Sequence, residues 1–81
     1  MSRVHVICRR GERQTDHTEF ATLAEAKSRA LRYAEREAMI AGIYHDASFG
    51  DIKRQIEGFR RGCFKGVSVG PNAVVRIEDR T

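Results

Sequence analysis

The sequence contains no tryptophan, a single proline and two cysteines, and none of its apolar runs is long. A membrane-spanning helix needs about 20 consecutive apolar residues, so we expect a chain that is not inserted in a membrane. The N-terminal stretch MSRVHVICRR lacks the apolar segment of a secretory signal. We therefore expect a cytoplasmic protein, in which Cys8 and Cys63 stay reduced and lie in or near the core.

Motifs for metal binding and for catalysis are missing as well. No glycine-rich phosphate-binding loop occurs, and the serines and cysteines stand in no recognisable pattern with a base. A chain of 81 residues also offers little volume for a substrate pocket. The candidate metal ligands follow none of the short Cys–Cys or His–His spacings of zinc sites; they are His5, His17, His45, Cys8 and Cys63. We expect a non-enzymatic protein with no metal and no cofactor.

One long helix is predicted over Thr22–Ala41. Thr22 and Glu25 have the spacing of a capping box, no Gly or Pro interrupts the segment, and Gly42 supplies a C-terminal cap. Most of the apolar face is alanine, so a sheet can approach this helix closely. The face is formed by Leu23, Ala26, Ala30, Leu31, Ala34, Ala38 and Ala41.

Short strands are predicted on both sides of this helix, over Arg3–Arg9, Phe64–Val69 and Val74–Glu78, each with alternating apolar residues. The polar segment Gln14–Phe20 is either an edge strand that pairs with the first strand or a loop, and its two threonines and terminal Phe favour the strand.

A second helix is expected between the long helix and the strand Phe64–Val69. It runs from an N-cap at Ser48 to a stop at Gly62. Its apolar stripe consists of Phe49, Ile52, Ile56, Phe59 and Cys63.

These elements predict a single α+β domain over residues 1–81. The order is β-β-α-α-β-β, and the short turns within each strand pair require antiparallel hairpins. Two amphipathic helices on one face of an antiparallel sheet of three to four strands give a two-layer domain.

The basic residues are unevenly distributed. The net charge is +4, and residues 53–65 hold five basic residues and one acidic residue, whereas the rest of the chain is balanced. Arginine outnumbers lysine twelve to three, and its planar guanidinium favours specific contacts with carboxylates and phosphates. Two basic surfaces are predicted to bind a partner, one on the second helix and its C-terminal side, one on the exposed side of the first helix. The surface on the second helix consists of Lys53, Arg54, Arg60, Arg61 and Lys65. The surface on the first helix consists of Arg29, Arg32 and Arg36.

The pattern Thr22-Leu23-x-x-Ala26-Lys27-x-x-Ala30, between a strand hairpin and a strand pair carrying V-x-R-I-E at Val74–Glu78, resembles small phage-encoded anti-CRISPR proteins. The resemblance covers about a third of the chain and does not include the second helix. It implies a non-enzymatic inhibitor that binds a CRISPR surveillance complex and blocks target DNA or nuclease recruitment.

The sequence thus predicts a small docking protein that binds an acidic protein surface or a nucleoprotein complex through an arginine-rich face, without specifying an oligomeric state. The alternative is a protein that binds double-stranded DNA or RNA directly through phosphate contacts. Because Phe49, Phe59 and Phe64 are expected in the core, a stacking platform for single-stranded nucleic acid is not expected.

Overall fold

A computed structural model describes residues 3–80, which form a four-stranded antiparallel sheet with two helices on one face. The elements in chain order are β1 Val4–Arg10, β2 Arg13–Phe20, α1 Leu23–Ala41, α2 Ala47–Glu57, β3 Phe64–Val69 and β4 Ala73–Asp79. The α+β class and the β-β-α-α-β-β order are as predicted. Neither helix within residues 3–80 is long and apolar enough to cross a membrane.

The sheet has the strand order β2-β1-β4-β3, so the first and last strands of the chain are neighbours at its centre. Both hairpins are antiparallel. The polar segment Gln14–Phe20, for which the sequence allowed a strand or a loop, belongs to the edge strand β2. The β1–β2 ladder shifts register between Cys8 and Arg9, which leaves Thr15 as an extra residue on β2. The β3–β4 ladder is regular along its length.

Alternation along the strands separates two faces. The face toward the helices carries the buried apolar side chains of the sheet, which are Val4, Val6, Cys8, Val67, Val69, Ala73, Val75 and Ile77. The opposite face is covered by no other element of residues 3–80, and we call it the open face. Its row at the end of the sheet where β1 and β3 begin, from β2 across to β3, reads Glu19, His5, Glu78, Phe64.

Helix α1 begins and ends as its sequence indicates. The Thr22 hydroxyl oxygen accepts the Glu25 backbone N–H at 3.3 Å. The Glu25 carboxylate accepts from the Thr22 hydroxyl at 2.8 Å, rather than from the Thr22 amide as expected for a full capping box. Gly42 takes a left-handed conformation, φ 76°, that favours glycine, and its N–H closes the helix on Ala38 and Met39.

The buried face of α1, which packs against the sheet and α2, consists mainly of alanines at every fourth position, with Tyr33 and Glu37 beside them. Ala26, Ala30, Ala34 and Ala38 are fully buried, and residues four apart in a helix lie one above the other. This ridge carries no atom beyond Cβ, so the helix axis lies close to β1 and β4. Ala41 is exposed, contrary to the expectation that it extends this face.

Helix α2 is shorter than predicted. It begins after Asp46 rather than Ser48 and ends at Glu57, with Gly58 as its cap. The poor helix propensity of Gly58 and the Lys27 ammonium, which donates to the Glu57 carbonyl at 2.7 Å, both favour this early end. Residues 58–63 therefore form a loop, in which Phe59 is buried but Cys63 is exposed.

A buried carboxylate links α1 to the β1–β2 hairpin. Glu37 is only 2 % exposed, and both of its oxygens accept from Arg10, each at 2.7 Å. Arg36 donates a further bond at 3.0 Å. Such charge-assisted bonds satisfy a group that would be costly to bury alone. They also hold the pKa of Glu37 below its ordinary value, the bond from Arg10 being the main cause.

We expect Ala30→Leu to destabilise the fold by about 1–3 kcal/mol, because the added atoms would force α1 away from the sheet. Ala24→Leu is the matched control, since Ala24 is exposed on the same helix and leucine is nearly as good a helix former as alanine. Urea denaturation of the two variants measures the difference. Equal stabilities would show that the alanine ridge does not set the helix–sheet distance.

We expect Glu37→Gln to lower the free energy of unfolding by about 1–3 kcal/mol at pH 7. A carboxylate with a depressed folded-state pKa stabilises the fold above its unfolded pKa, and this contribution is lost as the pH falls through the folded value. The difference from the parent should therefore shrink as the pH falls below about 4.3, the ordinary pKa of Glu. Glu35→Gln, at the half-exposed neighbouring acid, is the control. A difference that does not change between pH 7 and pH 3 would contradict the assigned role of Glu37.

Candidate functional site

The eight basic residues predicted to bind a partner do not form one surface. Arg36 is the clearest exception, because it forms ion pairs with Asp16 and Glu37 and its guanidinium lies 5.2 Å from the centre of the Tyr33 ring. These ion pairs raise the pKa of Arg36 and lower that of Asp16. Arg36 therefore packs toward the β1–β2 hairpin and is not the unpaired cation expected on α1, while its part in binding a partner stays a prediction.

Two further members of the set are already engaged. Arg54 forms an ion pair with Asp51 one turn earlier on α2. Arg29 stacks on Phe20 and Tyr33, at 5.6 and 5.9 Å from the ring centres. Arg32 is exposed on α1 and lines an open groove on that helix with Glu35, Arg36, Met39 and Ile40.

Four of the predicted residues are exposed cations without an ion pair within residues 3–80. They are Lys53, Arg60, Arg61 and Lys65. The early end of α2 places Arg60 and Arg61 in the following loop, so they do not extend a helical face as expected. We call residues 58–65 the basic loop; it contains three cations and no acid.

Hydrogen bonds to β4 hold the basic loop in place. The Gly62 N–H donates to the Asp79 carboxylate at 2.7 Å, and the Asp79 N–H donates to the Cys63 carbonyl at 3.1 Å. Gly62 has φ 77°, in the left-handed region that other residues rarely adopt. Phe59, 3 % exposed, anchors the start of the loop in the core. The loop therefore presents Arg60 and Arg61 from a fixed backbone rather than from a free chain.

Phe64 is the largest difference between the expected and the observed surface. It was expected in the core, but it is 59 % exposed at the start of β3, on the open face. The reason is register: Phe64 and the buried Val67 lie on opposite faces of a strand with two-residue periodicity. An exposed aromatic ring thus lies between Arg61 and Lys65 in the chain.

The basic loop itself could have been predicted from the sequence, because residues 58–65 contain two glycines, Gly58 and Gly62, and no acidic residue.

The open face brings together three residues that linear spacing did not connect. His5 on β1 lies next to His17 and Glu19 on β2, and one ligand atom from each can be chosen so that all lie within 4.8 Å of one another. Cross-strand register creates this cluster, whose histidines are twelve positions apart in the chain. These side chains could hold a metal ion, although no such site was expected.

The cysteines occupy different environments. Cys8 is fully buried, and burial is the main cause that raises the pKa of its thiol, which makes the thiol unreactive. Cys63 is exposed in the basic loop. The expectation that both thiols lie in or near the core is therefore correct for Cys8 and wrong for Cys63, because α2 does not reach the position that would have buried Cys63.

Comparison with protein-family models, with curated proteins and with solved structures finds no match to this chain. The geometry of the basic loop and of the open face therefore carries the functional argument.

We expect a thiol reagent to label Cys63 rapidly in the native protein and to label Cys8 only after unfolding. The physical reason is the exposure of the first thiol and the burial and raised pKa of the second. Mass spectrometry of peptides after a short exposure to iodoacetamide, with the Cys63→Ser variant as control, measures this difference. Rapid labelling of that variant would contradict the buried position of Cys8.

Proposed function

We propose that this protein is a non-enzymatic docking protein that binds an acidic surface on a larger, nucleic-acid-handling complex through its basic loop. The observation that carries this proposal is the group formed by Arg60, Arg61 and Lys65, which are exposed and free of ion pairs within residues 3–80. Arg10, Arg36, Arg54, Arg76 and Arg80, in contrast, are neutralised by carboxylates of the same chain.

The residue types of the basic loop support a protein interface. Arginine and aromatic residues are enriched at the centres of interfaces and among the residues that contribute most to binding. Phe64 offers apolar area, and Arg60 and Arg61 offer donors for carboxylates. The free charges would accelerate association with an acidic partner.

Inhibition of a CRISPR surveillance complex is one form that such docking would take. It rests on the sequence resemblance to anti-CRISPR proteins and stays a prediction. The proposed setting is the cytoplasm, where an exposed thiol such as Cys63 remains reduced.

Direct binding of nucleic acid is the second candidate, and the exposure of Phe64 favours it. A base stacks on an exposed ring while neighbouring cations contact the backbone, which is how proteins bind single strands. The ring lies on a sheet face next to Gly66, which has no side chain to obstruct a stacked base. This candidate adds single-stranded nucleic acid to the duplexes considered from the sequence.

A charge-reversal experiment tests the basic loop. We expect Arg60→Glu with Arg61→Glu to weaken capture of the partner from the native host at least tenfold, which corresponds to about 1.4 kcal/mol. Arg29→Glu with Arg32→Glu is the matched control on α1 and should weaken capture less. Quantitative mass spectrometry of the captured proteins gives the readout, and circular dichroism verifies folding. If the control pair loses the partner and the loop pair retains it, the binding surface is α1 and the proposal is wrong.

The same variants, together with Phe64→Ala, separate the two candidates. If the protein binds nucleic acid directly, the logarithm of its binding constant for a labelled single-stranded oligonucleotide should fall linearly with the logarithm of salt concentration. Phe64→Ala should then weaken binding by about 1–3 kcal/mol per stacked base. Protein docking predicts weak, Phe64-independent binding to the oligonucleotide and loss of the captured partner in the Phe64 variant.

A further inference from the structure

The cluster of His5, His17 and Glu19 lies on the open face and takes no part in the proposed docking. His5 pairs directly with Glu19 across the β1–β2 ladder, and His17 lies two residues before Glu19, on the same face of β2. The register shift of this ladder occurs farther along, at Cys8 and Arg9. The three side chains are therefore positioned by a regular part of the sheet.

The distances within the cluster are those of converging ligands. His5 Nδ1 lies 2.8 Å from His17 Nε2 and 3.8 Å from a Glu19 oxygen. Two nitrogens that bind one tetrahedral zinc ion at about 2.0–2.1 Å are about 3.3 Å apart, so the rings need to separate by only about half an ångström.

We propose that His5, His17 and Glu19 bind one Zn²⁺ ion, with water in the remaining coordination position. Two imidazoles and one carboxylate are a ligand set that zinc accepts, with three protein ligands and one open position. Calcium and magnesium prefer all-oxygen sites with more ligands, so the site should discriminate against them.

The protons on the two imidazole rings can be arranged so that both rings bind zinc. Without metal, the contact between His5 and His17 requires one ring nitrogen to donate and the other to accept. With zinc, both facing nitrogens bind the ion, and each neutral ring carries its proton on the other nitrogen, Nε2 of His5 and Nδ1 of His17. Glu19 binds as the carboxylate. Loading the ion therefore requires a change of tautomer but no loss of a proton from two neutral rings.

The surroundings favour a preorganised but accessible site. His5 is 6 % exposed on a central strand, so its ring is held in place, whereas His17 and Glu19 are exposed and leave a path from solvent. Glu78, the neighbour of His5 on β4, is engaged by Arg76 and Arg80. It is therefore not available as a fourth ligand, which is why water completes the set.

Zinc titration of the tag-free 81-residue chain by isothermal calorimetry tests the proposal. Cys63→Ser serves as the background, so that the exposed thiol does not compete for the metal. We expect one ion per chain and a rise in melting temperature with zinc, because a ligand that binds only the folded state stabilises it. Calcium and magnesium should cause neither effect.

His17→Ala and Glu19→Gln are the decisive variants, because both residues are exposed and the fold should tolerate their replacement. Each should weaken zinc binding by more than the roughly 10–100-fold typical of losing an outer-shell partner. His45→Ala, at an exposed histidine outside the cluster, should bind zinc like the background. Zinc should also shift the ring resonances of His5 and His17, but not those of His45, in NMR spectra.

Three outcomes would overturn the three-ligand site. They are the absence of saturable zinc binding, binding that survives both substitutions, and binding that only one of them weakens. All these variants share the Cys63→Ser background and keep Arg60, Arg61 and Lys65, so differences among them are independent of whether the basic loop binds a partner.

Discussion

The small volume of alanine on one side of α1 is the constraint on which the rest of the structure depends. Alanines at every fourth position let the helix lie close to the central strands β1 and β4. That proximity brings Glu37 on the helix within reach of Arg10 on the sheet. Packing and charge therefore act together, since the buried carboxylate would be costly if the helix lay farther from the strands.

The same arrangement decides which arginines can act on a partner. The carboxylates of Asp16 and Glu37 hold Arg36 at the β1–β2 hairpin, so this residue contributes to the fold. The basic loop lies at the opposite end of the sheet from Arg10 and has no acid of its own, and its charges remain available. A modest net charge is in this way concentrated in one region, where it can favour an acidic or phosphate-bearing surface.

The open face has a mixed character that a single function does not explain. At one edge, Phe64 lies between Arg61 and Lys65 of the basic loop, and this edge suits the proposed docking. At the other edge, His5, His17 and Glu19 form the proposed zinc site. The zinc site spans β2 and the central strand β1, whereas Phe64 lies on the edge strand β3, with β4 between them. A partner and a metal ion would therefore not compete for the same side chains.

The sequence by itself determined the class of fold, the bounds of α1 to within a residue, the buried faces of the strands and the stretch with excess positive charge. These features depend on local periodicity, capping and composition, which short segments encode. Only the tertiary structure decided that Arg36 pairs with Asp16 and Glu37, that Phe64 is exposed, that α2 ends at Glu57, and that His5 meets His17. Each of these depends on the register between strands or on the contact between layers, which residues distant in the chain set together.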